Sequence, residues 1–268
     1  MNTVPSILCI GGQDPTGGAG IQADIETVAA LGGHALTLAT ALTVQDSHNI
    51  VAIRPTSADF FSRQLETLLG DIRPTAVKIG LLGSVELVPV LVTLLHSFDG
   101  PVVLDPVLAA GGGFDLGGAS LGHIIVAELL PLTTLVTPNR AEARRLSGCK
   151  ESDQAAQWLP RAGARAVLMT GADEAEGDQV INRLFTGEGP AKSFAWPRLP
   201  HHYHGSGCTL ASACATRLAL GDDLATAAER AQQFTWQALR RASRPGGGQW
   251  LPRRQTPPRG DGPAPPGQ

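Results

Sequence analysis

From His204 to Thr209 the chain reads His-Gly-Ser-Gly-Cys-Thr, after turn-rich sequence and just before an alanine-rich stretch of helical character. The first N–H groups of a helix have no intrahelical partner and point outward, so small residues at that place form a cradle for an anion. Gly205, Ser206 and Gly207 make the cradle, and Cys208 puts a titratable thiol inside it. The positive end of the helix dipole is expected to lower that thiol from about 8.5 toward neutrality, where it would act as a base. A second glycine-rich turn, Gly11 to Gly20, closes the first apolar strand and runs into a helix from Ile21 to Leu31. Two such turns suggest a site for two substrates, one of them bearing a phosphate to be transferred.

The elements that would hold these turns follow from hydrophobic periodicity. Short aliphatic runs at Ser6–Ile10, Ala35–Thr40, Ala76–Ile79, Val102–Leu104, Leu135–Val136 and Ala166–Met169 read as strands. Amphipathic stretches at Ala58–Leu69, Val85–Phe98 and Gln154–Ala162 read as helices between them. This alternation predicts an α/β fold with a central, mostly parallel sheet and helices on both faces, in which ligands bind beyond the carboxyl ends of the strands. The loops at Gly80–Gly83, Asp105–Val107 and Thr137–Asn139 join the glycine turn on that edge. Val180–Phe185 and Lys192–Trp196 predict a small antiparallel hairpin at the sheet edge, turning through residues 186–190. Two helices, Leu210–Leu220 and Leu224–Ala242, close a single domain over residues 1–244. Thirteen of the last 24 residues are proline or glycine, so 245–268 is expected to be a disordered tail.

Composition narrows the partners. With 21 basic and 24 acidic residues the formal charge is −3, and no basic run precedes the tail, which argues against nucleic acid. No window reaches the roughly 18 apolar residues of a membrane span, and no signal-like segment opens the chain, so a cytoplasmic protein without membrane contact is expected. The four cysteines form no C-x-x-C pair and should be reduced. The histidines at 201, 202 and 204 read as a polar turn rather than a metal site, because no co-ligands are arranged around them.

Six segments in order, Gly12–Asp24, Thr40–Gln45, Lys78–Leu82, Leu104–Val107, Thr137–Ala143 and His204–Thr209, resemble the hydroxymethylpyrimidine and phosphomethylpyrimidine kinases of thiamine biosynthesis. These form a vitamin-kinase branch of the ribokinase-like superfamily, and the likeness spans about residues 6–243. The cysteine ending the cradle separates this branch from sugar kinases, which carry aspartate there. The resemblance implies ATP and Mg²⁺ as cofactors, and phosphorylation of 4-amino-5-hydroxymethyl-2-methylpyrimidine and then of its monophosphate. Cys208 would take the hydroxymethyl proton while Gly205 to Cys208 hold the γ-phosphoryl.

By the same resemblance Gln45 reads the pyrimidine edge, its planar amide matching a ring nitrogen beside an exocyclic amine. Gly12, Leu81 and Val107 would pack the ring, and Asp24 would anchor the loop or a polar edge of the substrate. Asn139 and Thr170 would handle the nucleotide, and Asp105 and Glu142 would organise Mg²⁺ through water and phosphate. Asn139 and Glu142 are also spaced to cap a helix, and Asp14 to cap a turn. Thr170-Gly171-Ala172 stands where many relatives carry lysine and two glycines, which removes a cation near the nucleotide, and Ser206 replaces a common threonine. A homodimer is implied. The alternatives are a pyridoxal or pyridoxine kinase, whose substrate also bears a hydroxymethyl group, and a non-catalytic vitamin-binding module.

Overall fold

The computed structural model describes residues 4–108, 118–173, 177–187 and 190–255. Among the described residues nine strands form one sheet: β1 (Ser6–Gln13), β2 (His34–Gln45), β3 (Ile50–Pro55), β4 (Ala76–Ile79), β5 (Val102–Leu104), β6 (Leu135–Val136), β7 (Val167–Met169), β8 (Gln179–Phe185) and β9 (Lys192–Pro197). Their order is β3-β2-β1-β4-β5-β6-β7-β8-β9. The six strands from β2 to β7 in that order pair in parallel, and β3 at one edge and β8–β9 at the other are antiparallel. The chain leaves β1 toward β2 on one side and later returns to β4 on the other. The crevice between their carboxyl ends is therefore a topological switch point, the place where such sheets bind ligands.

The α-helices among the described residues are α1 (Gly20–Ala30), α2 (Ala58–Asp71), α3 (Val88–His96), α4 (Gly118–Ile124), α5 (Arg140–Ser147), α6 (Ser152–Arg161), α7 (Ser206–Ala219) and α8 (Leu224–Arg240). Alternating strand residues feed two cores, as the twofold strand period requires. Leu8, Ile10, Val77 and Ile79 pack with Phe61 of α2 and Leu91 of α3. Ile7, Cys9, Ala76 and Val103 pack instead with Val28 of α1 and the alanine-rich faces of α7 and α8. Small residues on α7 let it lie close to the sheet, so its N-terminus reaches the strand ends.

The expected strands and the edge hairpin are all present, although the hairpin's turn residues 188–189 lie outside the described residues. Three features differ from the sequence reading. The expected helix Val85–Phe98 divides into a 3₁₀ turn, Val85–Leu87, and α3, with Pro89 in the first helical turn, where its missing N–H costs no bond. Helix α5 was legible only through its cap at Asn139 and Glu142, and neither strand β3 nor helix α4 was anticipated. The packed chain also continues past Ser243. Leu251 and Arg254 are buried, whereas residues 256–268 of the expected tail lie outside the described residues. No helix among the described residues is long and apolar enough to cross a membrane.

Phe61 is completely enclosed between α2 and the sheet. Truncating it to alanine leaves a cavity between α2 and the sheet, and Phe61→Ala should lower the unfolding free energy by about 3–5 kcal/mol in chemical denaturation.

Candidate functional site

Two glycine turns, from opposite ends of the chain, meet at the switch point. Gly205 has φ +82°, and a Cβ on it would overlap the Gly18 carbonyl oxygen. Gly20 has φ +60°, and a Cβ there would overlap the Gly12 carbonyl oxygen. Both positions need the left-handed region and offer no room, which only glycine satisfies. The first turn is closed on itself: Asp14 accepts from the Thr16 and Ala19 N–H groups at 2.8 and 2.7 Å, and Thr16 Oγ1 accepts from the Gly18 N–H. The Thr16 and Ala19 donors thus go to the Asp14 carboxylate, which plays the turn-capping role open to it in the sequence. His204 Nε2 lies 2.9 Å from Asp14 Oδ2 and joins this turn to the second one. Burial works against the Asp14 charge, but the hydrogen bonds from His204 and Thr16 hold its carboxyl below the usual range.

The second turn is the opposite case. Helix α7 starts at Gly205, which has no side chain to cap it, and its first turn holds no acidic residue. Thr209 N–H makes the first intrahelical bond, to the Gly205 carbonyl. The Ser206, Gly207 and Cys208 N–H groups precede that bond and have no partner within the helix. Asp105, at the carboxyl end of β5, stands beside them, its carboxylate within 4 Å of where a Gly207 Cβ would lie.

Beneath the cradle is a buried charged cluster. Lys78, in the middle of β4, donates to both oxygens of Asp24 on α1, at 2.9 and 3.0 Å, and Ser212 of α7 donates to the same carboxylate at 2.6 Å. Lys78 and Asp24 are wholly buried. This corrects the expectation for Asp24, which has no face open to a substrate and serves the packing of α1, β4 and α7. Burial opposes the charge on Lys78, but Asp24, Cys208 and Asp105 around it raise its pKa above the ordinary lysine value.

The expectation of a low Cys208 pKa is also corrected. The side chain keeps part of its surface open to solvent, yet desolvation raises its pKa to about 11, with Asp105 and Asp24 pushing the same way. Lys78 and a hydrogen bond from the Gly20 N–H oppose the rise without cancelling it. The thiol in turn hydrogen-bonds Asp105.

The remaining residues lie around this centre. Gly12 is packed against Leu81, whose Cδ2 would be 2.6 Å from a Cβ at that position, and the Leu81 carbonyl accepts from Thr40 Oγ1. Val107, half-buried, follows Asp105. Gln45, also half-buried, ends β2 at a register shift opposite Ile50, a bulge of the kind that re-aims a side chain. Asn139 and Thr170 come together through an isolated bridge between the ends of β6 and β7. Asn139 and Glu142 form a full capping box on α5, each side chain accepting from the other's N–H at 2.8 and 3.0 Å. Burial and the charge of Asp105 push the Glu142 pKa up, and burial does the same to Asp105. Two carboxylates strained toward protonation in this way suit a hard divalent cation, which takes oxygen ligands and retains water. No group of three acidic, histidine or cysteine side chains is arranged around a metal position among the described residues.

Three site residues escaped the sequence reading: Lys78, Ser212 and Arg254. Lys78 carried a signal, a charge within a four-residue strand otherwise aliphatic. Arg254, 1% exposed, carried none, since it follows a proline- and glycine-rich segment.

The phosphomethylpyrimidine kinase family matches residues 14–252. The chain is 41% identical over 244 residues to the thiamine biosynthesis bifunctional protein ThiED of Geobacter sulfurreducens, covering 88% of this chain and 49% of that one. It thus spans about half the length of that relative. It is 36% identical to the hydroxymethylpyrimidine/phosphomethylpyrimidine kinase of Streptomyces coelicolor, over 92% of this chain and 93% of that one. Pyridoxal kinase from Staphylococcus aureus in complex with pyridoxal superposes with a TM-score of 0.87 at 27% identity, covering 94% of each chain.

Removing one member of a buried ion pair strands the other. Lys78→Met should destabilise the protein by about 3–5 kcal/mol, and Lys78→Met combined with Asp24→Asn should recover much of the loss. Urea denaturation of the single and double variants measures both effects.

Proposed function

The chain belongs to the phosphomethylpyrimidine kinase family, and from that premise we propose that it transfers the γ-phosphoryl of ATP to the hydroxymethyl group of 4-amino-5-hydroxymethyl-2-methylpyrimidine and then to the resulting monophosphate, in the cytoplasm. The observation that carries this reading is the uncapped N-terminus of α7 at the switch point, with Cys208 in its first turn. Phosphoryl transfer asks chiefly for positioning and charge stabilisation, and the Ser206 to Cys208 N–H groups would stabilise the charge that develops on the γ-phosphoryl. Gln45 would read the aminopyrimidine edge, with Leu81, Val107 and the bare backbone of Gly12 against the ring. Asn139 and Thr170, side by side at neighbouring strand ends, would meet the nucleotide. Mg²⁺, held by Asp105 and Glu142 through water, would neutralise phosphate charge and offset the carboxylate field that keeps the Cys208 thiol protonated.

Cys208 has distinct work in the two steps. A hydroxymethyl proton is lost only to a base, and the cradle thiol is the group placed to take it. A phosphate monoester is already largely dianionic at neutral pH, its second pKa being near 6, and attacks without one. Purified protein with Mg-ATP should therefore phosphorylate both pyrimidines, with products identified by mass. Cys208→Ala should slow the first step by about 10²–10⁴-fold and the second far less. Equal losses in the two steps would remove the base role from Cys208. The likeness to a pyridoxal-bound kinase supports a second reading, so pyridoxal belongs in the same assay. Turnover of pyridoxal alone would reassign the acceptor, and no turnover at all would leave a binding module.

We further propose a homodimer and a kinase domain that extends through Arg254. Leu42, Val44 and Phe60 are more than half exposed, and Leu42 and Phe60 line a cleft of about 310 Å³ beside the β2–β3 edge. Such a face suits a second copy of the chain. Light scattering after gel filtration should show a dimer that Leu42→Lys converts to monomer, and a monomeric wild type would end the proposal.

A further inference from the structure

Beyond α8 the chain runs as a strap across the site. Ser243 and Leu251 exchange backbone hydrogen bonds, so the segment between them loops out and returns. The tip of the loop reaches the β2–β3 turn, where Gly248 and Gln249 donate to Ser47. On its way back, Trp250 donates to the His202 carbonyl and accepts from the His204 N–H, and its ring stacks on His201 at 4.0 Å. The strap thus touches the turn that follows Gln45 and the residues that lead into the cradle.

It ends on Arg254, whose guanidinium is enclosed where the two glycine turns meet. Its Nε donates to Thr209 Oγ1 at 2.8 Å, Nη1 to Glu26 Oε2 at 3.1 Å and to the Gly17 carbonyl at 3.4 Å, and Nη2 to the Gly18 carbonyl. Thr209 Oγ1 passes the chain on by donating to the Gly205 carbonyl at 2.7 Å, and Thr209 N–H donates to the same oxygen at 3.0 Å. A peptide unit is planar and trans, so its carbonyl and N–H point in opposite directions. Holding the Gly205 oxygen inward on Thr209 therefore aims the Ser206 N–H outward into the cradle. The Gly18 carbonyl is the group that Gly205 packs on, so the same guanidinium fixes both walls of the seam.

We propose that Arg254 is a positioning residue: through Thr209 and the Gly205 carbonyl it sets the direction in which the Ser206 N–H faces the transferring phosphate. The inference rests on the reading of the cradle as the phosphate site. Lysine keeps the charge but cannot supply several donors in one plane, so Arg254→Lys tests the geometry apart from the charge. With the acceptor that the wild type phosphorylates, Arg254→Lys should lower kcat by about tenfold to a hundredfold, in the range of a misplaced oxyanion donor, and leave KM for that acceptor within about twofold. Thr209→Val, which deletes the relaying hydroxyl, should do the same, and Thr209→Ser should retain wild-type kcat. If the two residues act through one another, the double variant Arg254→Lys/Thr209→Val should lose no more than the weaker single variant.

Hydrogen exchange supplies a readout independent of turnover. Amides in Ser206 to Cys208 should exchange faster in Arg254→Lys and in Thr209→Val, while amides of the central strands β1 and β4 keep their protection. A wild-type kcat in Arg254→Lys with unchanged exchange at Ser206 to Cys208 would overturn the proposal. So would losses that add in the double variant, or protection lost uniformly across the sheet, which would mark a role in stability alone. If the wild type turns over no acceptor, the functional reading falls, and the exchange at Ser206 to Cys208 still decides whether Arg254 orients them.

Discussion

The site depends on a steric constraint: two backbone turns must come closer than any side chain permits. Gly205 sits on the Gly18 carbonyl and Gly20 on the Gly12 carbonyl, each in the left-handed region. The contact places the N-termini of α1 and α7 side by side at the carboxyl ends of β1 and β4. Its consequence is a division of labour between two glycine-rich turns that look alike in sequence. The first turns the Thr16 and Ala19 N–H groups onto Asp14 and the Gly18 N–H onto Thr16, and so closes on itself. The second has no side-chain cap and no acidic residue in its first turn, which leaves it suited to an anion from outside the chain.

Electrostatics under the seam reinforce this arrangement. A lysine and an aspartate are taken fully out of water by the packing of α1 and α7 on β4, a burial that costs several kcal/mol per ion before their attraction offsets it. The two charges of the pair act on Cys208 and Asp105 in opposite senses, Lys78 favouring their ionised forms and Asp24 opposing them. Cys208 therefore balances opposing fields: desolvation and two carboxylates favour the thiol, and Lys78 and the Gly20 N–H favour the thiolate. The helix-dipole argument on which the sequence expectation rests omits burial and the neighbours that α1, β4 and β5 bring in.

What the sequence made legible was local. Strands with continuous aliphatic runs, the cradle and the capping box at Asn139 and Glu142 all announce themselves within a few residues. Strand β3 did not, because Ile50–Pro55 is largely exposed and lacks the alternation of a half-buried strand. Helix α5 is rich in arginine and shows little apolar stripe beyond Ala143 and Leu146. Asp24 looked like a ligand-facing acid because its partners, Lys78 and Ser212, are 54 and 188 residues away. Arg254 was hidden for the same reason, in a segment whose composition reads as linker and whose anchoring contacts are all made by other parts of the chain.

These separations bear on how the molecule folds. His204 reaches Asp14 across 190 residues and Arg254 reaches Gly18 across 236, among the longest loops the chain closes. Contacts of that kind recover their closure entropy only after the intervening structure exists. The parallel sheet and its helices must therefore be assembled before the seam between the glycine turns can form. The site is a late product of folding, and a compact intermediate with a complete sheet would have native secondary structure and no cradle. The same ordering run backward makes the seam an early place to open, so chemical competence is a more sensitive gauge of the native state than helix or strand content.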